Sequence, residues 1–250
     1  MADDSDTPIT AAVLVIGDEI LSGRTKDRNI GYIAEYLTGI GIDLREARVV
    51  ADEVEEIADA VNALRHRYTY VFTTGGIGPT HDDITADGVA HAFGVAVVHH
   101  PEAVDLLKRY LGDRLNEARL RMARVADGAD LIENPVSKAP GWRIGNVHVM
   151  AGVPSIMQAM LDGIAPTLAT GRKMLSETVE GRGIKEGDVG GPLGEIQDRH
   201  PGVLIGSYPH FDGTQFTTSI VLRSRDAGPL EQATADVRRL VGTLISDPDR

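Results

Sequence analysis

The sequence contains no cysteine. Disulfides and thiolate metal sites are thereby excluded, and the composition suits a reducing compartment, so a cytoplasmic location is expected. No apolar run approaches the roughly 18–20 residues of a membrane span. The acidic, polar start Met1-Ala2-Asp3-Asp4-Ser5-Asp6 is the reverse of a secretory signal. Basic runs of five or more residues are absent, and the formal charge is −12. That balance argues against nucleic acid and against an anionic membrane surface as partners. The eight histidines show no H-x-x-x-H spacing for zinc, and neither a G-x-S-x-G elbow nor a cysteine supports covalent acyl chemistry. Trp142, the single Trp, reads as core or strand packing.

What is present is an alternation of strand and helix patterns over residues 11–168. Strands are expected at 11–17, 42–50, 68–74, 95–98 and 147–151. Helices are expected at 29–41, 52–67, 83–93, 101–111, 115–125 and 155–168. This order predicts a three-layer αβα domain over 11–170 with a mainly parallel sheet, whose ligands gather at the carboxyl ends of the strands. Residues 1–10 read as a disordered acidic N-terminus. Gly171-Arg172-Lys173 reads as a linker. Beyond it, strand 174–180, helix 191–199, strands 203–208 and 215–223 and helix 230–245 predict a small α+β domain of ferredoxin-like type over 174–250. Asp212-Gly213 marks its hairpin.

The most informative stretch is Thr73-Thr74-Gly75-Gly76-Ile77-Gly78-Pro79-Thr80-His81-Asp82-Asp83. A buried strand, a glycine-rich turn and a helix N-terminus together make an anion site. The loop is neither G-x-x-x-x-G-K-[ST] nor G-x-G-x-x-G, since no Lys follows and His81 takes the third glycine position. Two carboxylates beside an anion site make sense if a divalent cation lies between them and a phosphate. The first strand ends in Gly17-Asp18-Glu19-Ile20-Leu21-Ser22-Gly23, followed by Arg24, Asp27, Arg28 and Asn29. These groups belong to the same sheet edge. Asn134-Pro135-Val136-Ser137-Lys138-Ala139-Pro140-Gly141 is a third loop, in which Lys138 offers a phosphate contact and Ser137 a hydroxyl. Gly152-Val153-Pro154 supplies further free N–H groups at a helix start.

At these residues the chain resembles the MoaB/Mog molybdopterin-binding family. Thr74 to Thr85 matches its TGG-x-G-P-x-x-x-D-x-T loop. Gly17 to Gly23 resembles the G-x-E-[IL]-L-x-G signature of its competence/damage-inducible protein A branch. Most similar is the molybdopterin-binding-like domain of eukaryotic FAD synthases, where the Gly17–Gly23 pattern, Val50-Ala51-Asp52-Glu53-Val54 and GGIGPTHDD recur in order. Ile205-Gly206-Ser207-Tyr208-Pro209 and Gly228-Pro229-Leu230-Glu231 resemble the small domain that follows there. Two departures are Ala151 in the family's P-G-x-P turn and Ser137 in its N-P-x-G-x-A-P-G loop.

The resemblance implies chemistry on an adenylyl phosphoanhydride. Its branches activate molybdopterin with AMP, split ADP-ribose into AMP and ribose 5-phosphate, or split FAD into AMP and FMN. The expected function is metal-dependent hydrolysis of the pyrophosphate of FAD or ADP-ribose. The alternatives are molybdopterin binding or adenylylation, and a non-catalytic nucleotide-binding module. In this reading Gly75, Gly76 and Gly78 cradle the pyrophosphate, with Pro79, Thr80, Asn29, Ser137 and Gly152 completing the binding set. Asp83 and Asp27 hold the metal, assisted by Glu19 and Asp82, and Lys138 neutralises charge on the leaving phosphate. The implied cofactor is Mg²⁺, Mn²⁺ or Co²⁺, with K⁺ as an accessory ion. The implied partners are a nucleotide or pterin and a second copy of the chain in a homodimer.

Overall fold

The computed structural model describes residues 7–246. The expectation of disorder for residues 1–10 lies outside that range up to residue 6, and it is corrected at Ile9, whose carbonyl accepts from the Asp43 N–H, and at Thr10, which opens a strand. The chain forms two compact units, divided between Gly171 and Arg172.

The first unit begins with β1 (Thr10–Ile16), a short α1 (Asp18–Leu21), α2 (Asn29–Gly39), β2 (Asp43–Val50), α3 (Val54–Arg65) and β3 (Tyr70–Thr74). It continues through α4 (Thr85–Phe93), β4 (Val97–His99), α5 (Pro101–Leu111), α6 (Glu117–Leu120), β5 (Arg124–Ala126), β6 (Asp130–Ile132), β7 (Gly141–Ile144), β8 (Val147–Met150) and α7 (Pro154–Ile164). Six strands form one sheet in the order β2-β1-β3-β8-β7-β6. The β1–β2, β1–β3 and β3–β8 pairs are parallel, and β7 and β6 add an antiparallel flank.

The run Thr10–Ile16 is apolar almost throughout because both faces of its strand are covered. Ala12, Leu14 and Ile16 pack with Ile57, Val61 and Leu64 of α3 and Val89 of α4. Ala11, Val13 and Val15 pack on the opposite face with Ile33 and Leu37 of α2 and Met157 and Leu161 of α7. The result is the expected αβα sandwich with a mainly parallel sheet. Trp142 is fully buried in the first of these cores.

Three local expectations are corrected. Residues 115–125 are not one helix: α6 has four residues, a 3-10 turn spans Arg121–Ala123, and Val125 belongs to β5. β4 pairs antiparallel with β5 in a separate ribbon and is not part of the main sheet. β6 and β7 were not foreseen. Their three and four residues are too few to establish an alternating pattern.

The second unit comprises β9 (Leu175–Arg182), α8 (Glu186–Arg199), β10 (Leu204–Phe211), β11 (Phe216–Ser224) and α9 (Ala227–Ile245). The antiparallel order β10-β11-β9 places β11 between the other two strands. This is the ferredoxin-like arrangement in three strands. Its core is formed by Val189, Leu193 and Ile196 of α8 and Leu230, Val237 and Val241 of α9 against Val179, Ile220 and Leu222. Among the described residues no helix is long and apolar enough to cross a membrane.

Candidate nucleotide-binding cleft

The parallel strands β1, β3 and β8 end side by side, and the loops that follow them build one cleft. At the end of β3 the backbone turns through Gly75 and Gly76 with φ of 104° and 64°. A Cβ at Gly75 would collide with the Ile16 carbonyl oxygen, and one at Gly76 with the Thr85 hydroxyl. Thr85, the buried first residue of α4, donates its hydroxyl to the Gly75 carbonyl at 2.9 Å and its N–H to the Gly76 carbonyl at 3.1 Å. The glycine at 76 is therefore required by packing on α4 as well as by any ligand. With its carbonyls turned inward, the loop leaves the N–H groups of Gly76, Ile77 and Gly78 without a partner among the described residues. Successive unpaired N–H groups form a concavity suited to an anion.

The far side of the loop is held by Asp83 and Arg121. Asp83 Oδ2 accepts from the Thr80 N–H at 2.8 Å and the Thr80 hydroxyl at 2.5 Å. It also leans over Gly78, where a Cβ would lie 2.6 Å from that oxygen. Arg121 donates to the carbonyls of Thr80 at 2.9 Å and Asp83 at 3.2 Å, tying the loop to a segment about 40 residues away in sequence.

The β1–α2 loop forms the opposite wall. The Asp18 N–H donates to Asp52 Oδ2 at 2.9 Å, and the Asp52 N–H donates back to Asp18 Oδ1 at 3.3 Å. Burial pushes the Asp52 carboxyl above its ordinary value. The negative charges of Asp18, Glu19 and Asp82 push the same way, against the stabilising Asp18 N–H. The Glu19 carboxylate folds back over Gly17. Asp27 Oδ1 accepts from the Ile30 N–H at 2.9 Å, so Asp27 secures the first turn of α2 while its second oxygen makes no hydrogen bond among the described residues. Asn29 is buried and donates to the Gly152 carbonyl at 2.9 Å, joining the loops after β1 and β8.

The β6–β7 loop is organised by Asn134. Its Nδ2 donates to the Ser137 hydroxyl at 2.6 Å and the Ala139 carbonyl at 2.7 Å, and its Oδ1 accepts the N–H groups of Val136 and Ser137. Lys138 follows with a φ of 62°, a left-handed conformation that is costly for a side chain of this kind.

Two cavities of about 460 and 480 Å³ lie in this cleft and share Glu19, Thr25, Gly75, Gly152 and Pro154 as a common wall. Asp27 and Asn29 line the first. Gly76, Gly78, Asp83, Asn134 and Ser137 line the second. Four predicted residues line neither cavity: Lys138, Pro79, Thr80 and Asp82. Pro79 and Thr80 are exposed and serve the turn closed by Asp83, and the Asp82 side chain is 68% exposed. Arg121 and Met122 are members of the assembly that no motif singles out, while Thr74 and Asn134 open the two loop motifs without being named there as site residues.

No three carboxylates or imidazoles converge on a metal position among the described residues. The donors along the cleft are nevertheless all oxygen, and Asp27 and Asp83 each keep one carboxylate oxygen outside the loop's own hydrogen bonds. Mg²⁺ usually takes one or two carboxylates together with substrate phosphate and water. The residues fit an ion of that kind and do not form an all-protein cage.

Comparison with known proteins places this geometry. Residues 12–170 match the family described as "Probable molybdopterin binding domain", and residues 173–248 match "FAD synthase, middle domain". A protein of Aeropyrum pernix is 35% identical over 96% of this chain and 97% of its own length. The probable FAD synthase of Caenorhabditis elegans is 32% identical over 94% of this chain, which spans only 50% of that protein. The crystal structure of CinA from Thermoplasma acidophilum superposes with a TM-score of 0.60 at 35% identity, covering 64% of this chain and 97% of that one.

Proposed function

The chain belongs to the family of probable molybdopterin-binding domains, and from that premise we propose that its cleft binds a dinucleotide such as FAD or ADP-ribose and hydrolyses the pyrophosphate to release AMP. The observation that carries the reading is the row of N–H groups at Gly76, Ile77 and Gly78, unpartnered among the described residues, in the second cavity, with the first cavity sharing its wall. An anion cradle in one of two chambers that share a wall suits a ligand whose pyrophosphate joins two sizeable halves. The match to the FAD synthase middle domain and the FAD synthase relative support a flavin nucleotide as one such ligand.

In this reading the loop N–H groups bind phosphate oxygens and orient the phosphoanhydride. Asp27, which lines the first cavity, and Asp83, which lines the second, would hold a divalent ion, which when bound supplies charge neutralisation to the phosphates. Glu19, in the common wall, adds a further carboxylate to the cleft. Asn134 presents Ser137 as a neutral hydroxyl donor in the second cavity, which Lys138 does not line. Arg121 fixes the loop carbonyls so that its N–H groups face the ligand.

The test is incubation of the purified protein with FAD or ADP-ribose and Mg²⁺, Mn²⁺ or Co²⁺, followed by separation of products. AMP appearing together with equimolar FMN or ribose 5-phosphate supports the reading. The family match itself favours a second reading, molybdopterin binding or adenylylation. Nucleotide binding without AMP release would move the account to that alternative.

A further inference from the structure

The second cavity differs from the first in the character of its wall. Ile77, Met122, Ala139, Val153 and Ile156 give it an apolar side, and among the described residues no Arg or Lys lines it. The row of free N–H groups at Gly76, Ile77 and Gly78 lies in the same cavity. A bare phosphate would fill the cradle and leave the apolar side in water. A sugar phosphate would set hydroxyls against carbon, which accepts no hydrogen bond. The wall suits an apolar group carried on the phosphate.

Ser137 narrows what that group is. The Asn134 amide cannot be reversed, since its Oδ1 accepts the N–H groups of Val136 and Ser137 and its Nδ2 donates to the Ala139 carbonyl. The Ser137 Oγ therefore accepts from Asn134 Nδ2 at 2.6 Å, and its own proton has no acceptor among the described residues. A free donor in a cavity with an apolar side suits a heterocyclic ring, which has both an apolar face and an acceptor edge. An alkyl chain lacks the acceptor.

Met122 is fixed in this wall by its neighbours. Arg121 donates to the carbonyls of Thr80 and Asp83 in the glycine-rich loop. Ala123 is fully buried with Ala103 and Leu107 of α5, and Arg124 donates to Asp87 of α4 at 2.6 Å. Of these four consecutive residues, Met122 alone lines the cavity. The segment that shapes the phosphate loop thus also supplies a thioether to the wall, and such sulfur packs favourably on aromatic rings.

We propose that Met122 seats the heterocyclic ring of the ligand, with the phosphate in the Gly76–Gly78 cradle and an acceptor on the ring edge at the Ser137 hydroxyl. The proposal deepens the proposed function and rests on it for a nucleotide as ligand. Adenine in AMP and the isoalloxazine of FMN share this chemistry. Two neighbours in sequence then divide the recognition. Arg121 sets the loop that holds phosphate, and Met122 supplies the face that distinguishes a nucleotide from a sugar phosphate.

The test is the methyl resonance of Met122 in the full chain, isotope-labelled at the methyl groups of its six methionines and assigned by its absence in Met122→Leu. AMP or FMN should move this resonance upfield, because a methyl over a ring face is shielded by the ring current, and ribose 5-phosphate should not. In calorimetry Met122→Ala should weaken AMP or FMN roughly tenfold and leave ribose 5-phosphate unchanged, with Met122→Leu largely restoring the loss. A purely structural role, acting through Arg121 and the loop, would weaken ribose 5-phosphate alike. A shift with AMP alone or with FMN alone identifies the ring, and either supports the seat.

Ribose 5-phosphate or butyl phosphate binding as tightly as AMP and FMN overturns the proposal. Binding of AMP and FMN that fails to move the Met122 resonance upfield overturns it too, as does no binding of either at roughly 10 mM. In each case AMP release from a dinucleotide would leave the proposed function intact. A ring-dependent shift at Met122, with no AMP release from any dinucleotide, supports the seat and overturns the hydrolase reading.

Discussion

His148 lies inside the main sheet, on β8, stacked on Phe72 with ring centroids 5.2 Å apart and edge-on to Tyr70 at 5.7 Å. It is 3% exposed and its Nδ1 has no partner among the described residues. Burial, reinforced by the nearby Arg143 charge, holds its pKa down to about 4 from 6.5. An unfolded chain takes up a proton at this residue near pH 6.5, whereas the folded chain resists until about pH 4. Lowering the pH through that window therefore favours the unfolded state. The stability present above pH 6.5 falls by about 2 kcal/mol between pH 7 and pH 5 and by about 3 kcal/mol at pH 4. His148→Leu, which cannot titrate, should lack this loss. Trp142 is the single Trp and is buried in the first unit, so its fluorescence in urea reports that unit separately from the second. The difference between wild type and His148→Leu across pH 7 to 5 isolates the residue. Equal losses in the two proteins, to within about 0.5 kcal/mol, would refute the argument.

Gly75→Ala should destabilise the first unit by about 3 kcal/mol or more, because its Cβ meets the Ile16 carbonyl at a φ of 104°; urea unfolding followed at Trp142 measures it. Arg121→Ala should weaken AMP roughly tenfold in calorimetry with little change in melting, since the guanidinium holds loop carbonyls at the surface and not the core. Asp52→Asn keeps an oxygen for the Asp18 N–H but removes a charge crowded by Asp18, Glu19 and Asp82. Its melting temperature should exceed that of wild type at pH 7. Because the Asp52 pKa is raised in the folded state, the advantage should disappear below roughly pH 4, where the carboxyl is protonated in both states.

The sequence made the parallel core legible because its strands are fully covered. Thr10–Ile16 and Tyr70–Thr74 carry continuous apolar runs, and Ile57, Ala60, Val61 and Leu64 repeat at helical spacing on α3. Elements built from few residues were not legible. Asp130–Ile132 has no period to read and becomes a strand only by pairing with Gly141–Ile144. The sequence reading begins this helix at about 191, although Gly190, Gly191 and Pro192 lie inside the observed α8. The observed helix begins at Glu186, where Asp188 accepts from the Lys185 N–H and Val189 is fully buried, so capping and packing outweigh local propensity.

The site was legible in the same uneven way. Glycines and carboxylates declare themselves through spacing, and Gly75, Gly76, Gly78, Asp83, Asp27, Asn29, Glu19, Ser137 and Gly152 do line the cleft. Lys138 stands out by its charge, yet the Asn134 network and a left-handed backbone set its position. Arg121 acts through backbone carbonyls on another loop, and nothing in its own neighbourhood of sequence announces that.

The central claim is that the loop carboxylates and backbone N–H groups of this cleft cleave an adenylyl pyrophosphate. It is tested most directly by AMP release from FAD and ADP-ribose, measured for wild type, Asp83→Asn and Asp27→Asn with Mg²⁺, Mn²⁺ or Co²⁺. The account predicts AMP from wild type, its loss in EDTA and recovery on adding the ion. It predicts turnover lower by roughly two orders of magnitude in Asp83→Asn, with AMP binding retained. Release of no AMP by wild type under any of these ions, or equal rates in the three proteins, would contradict it.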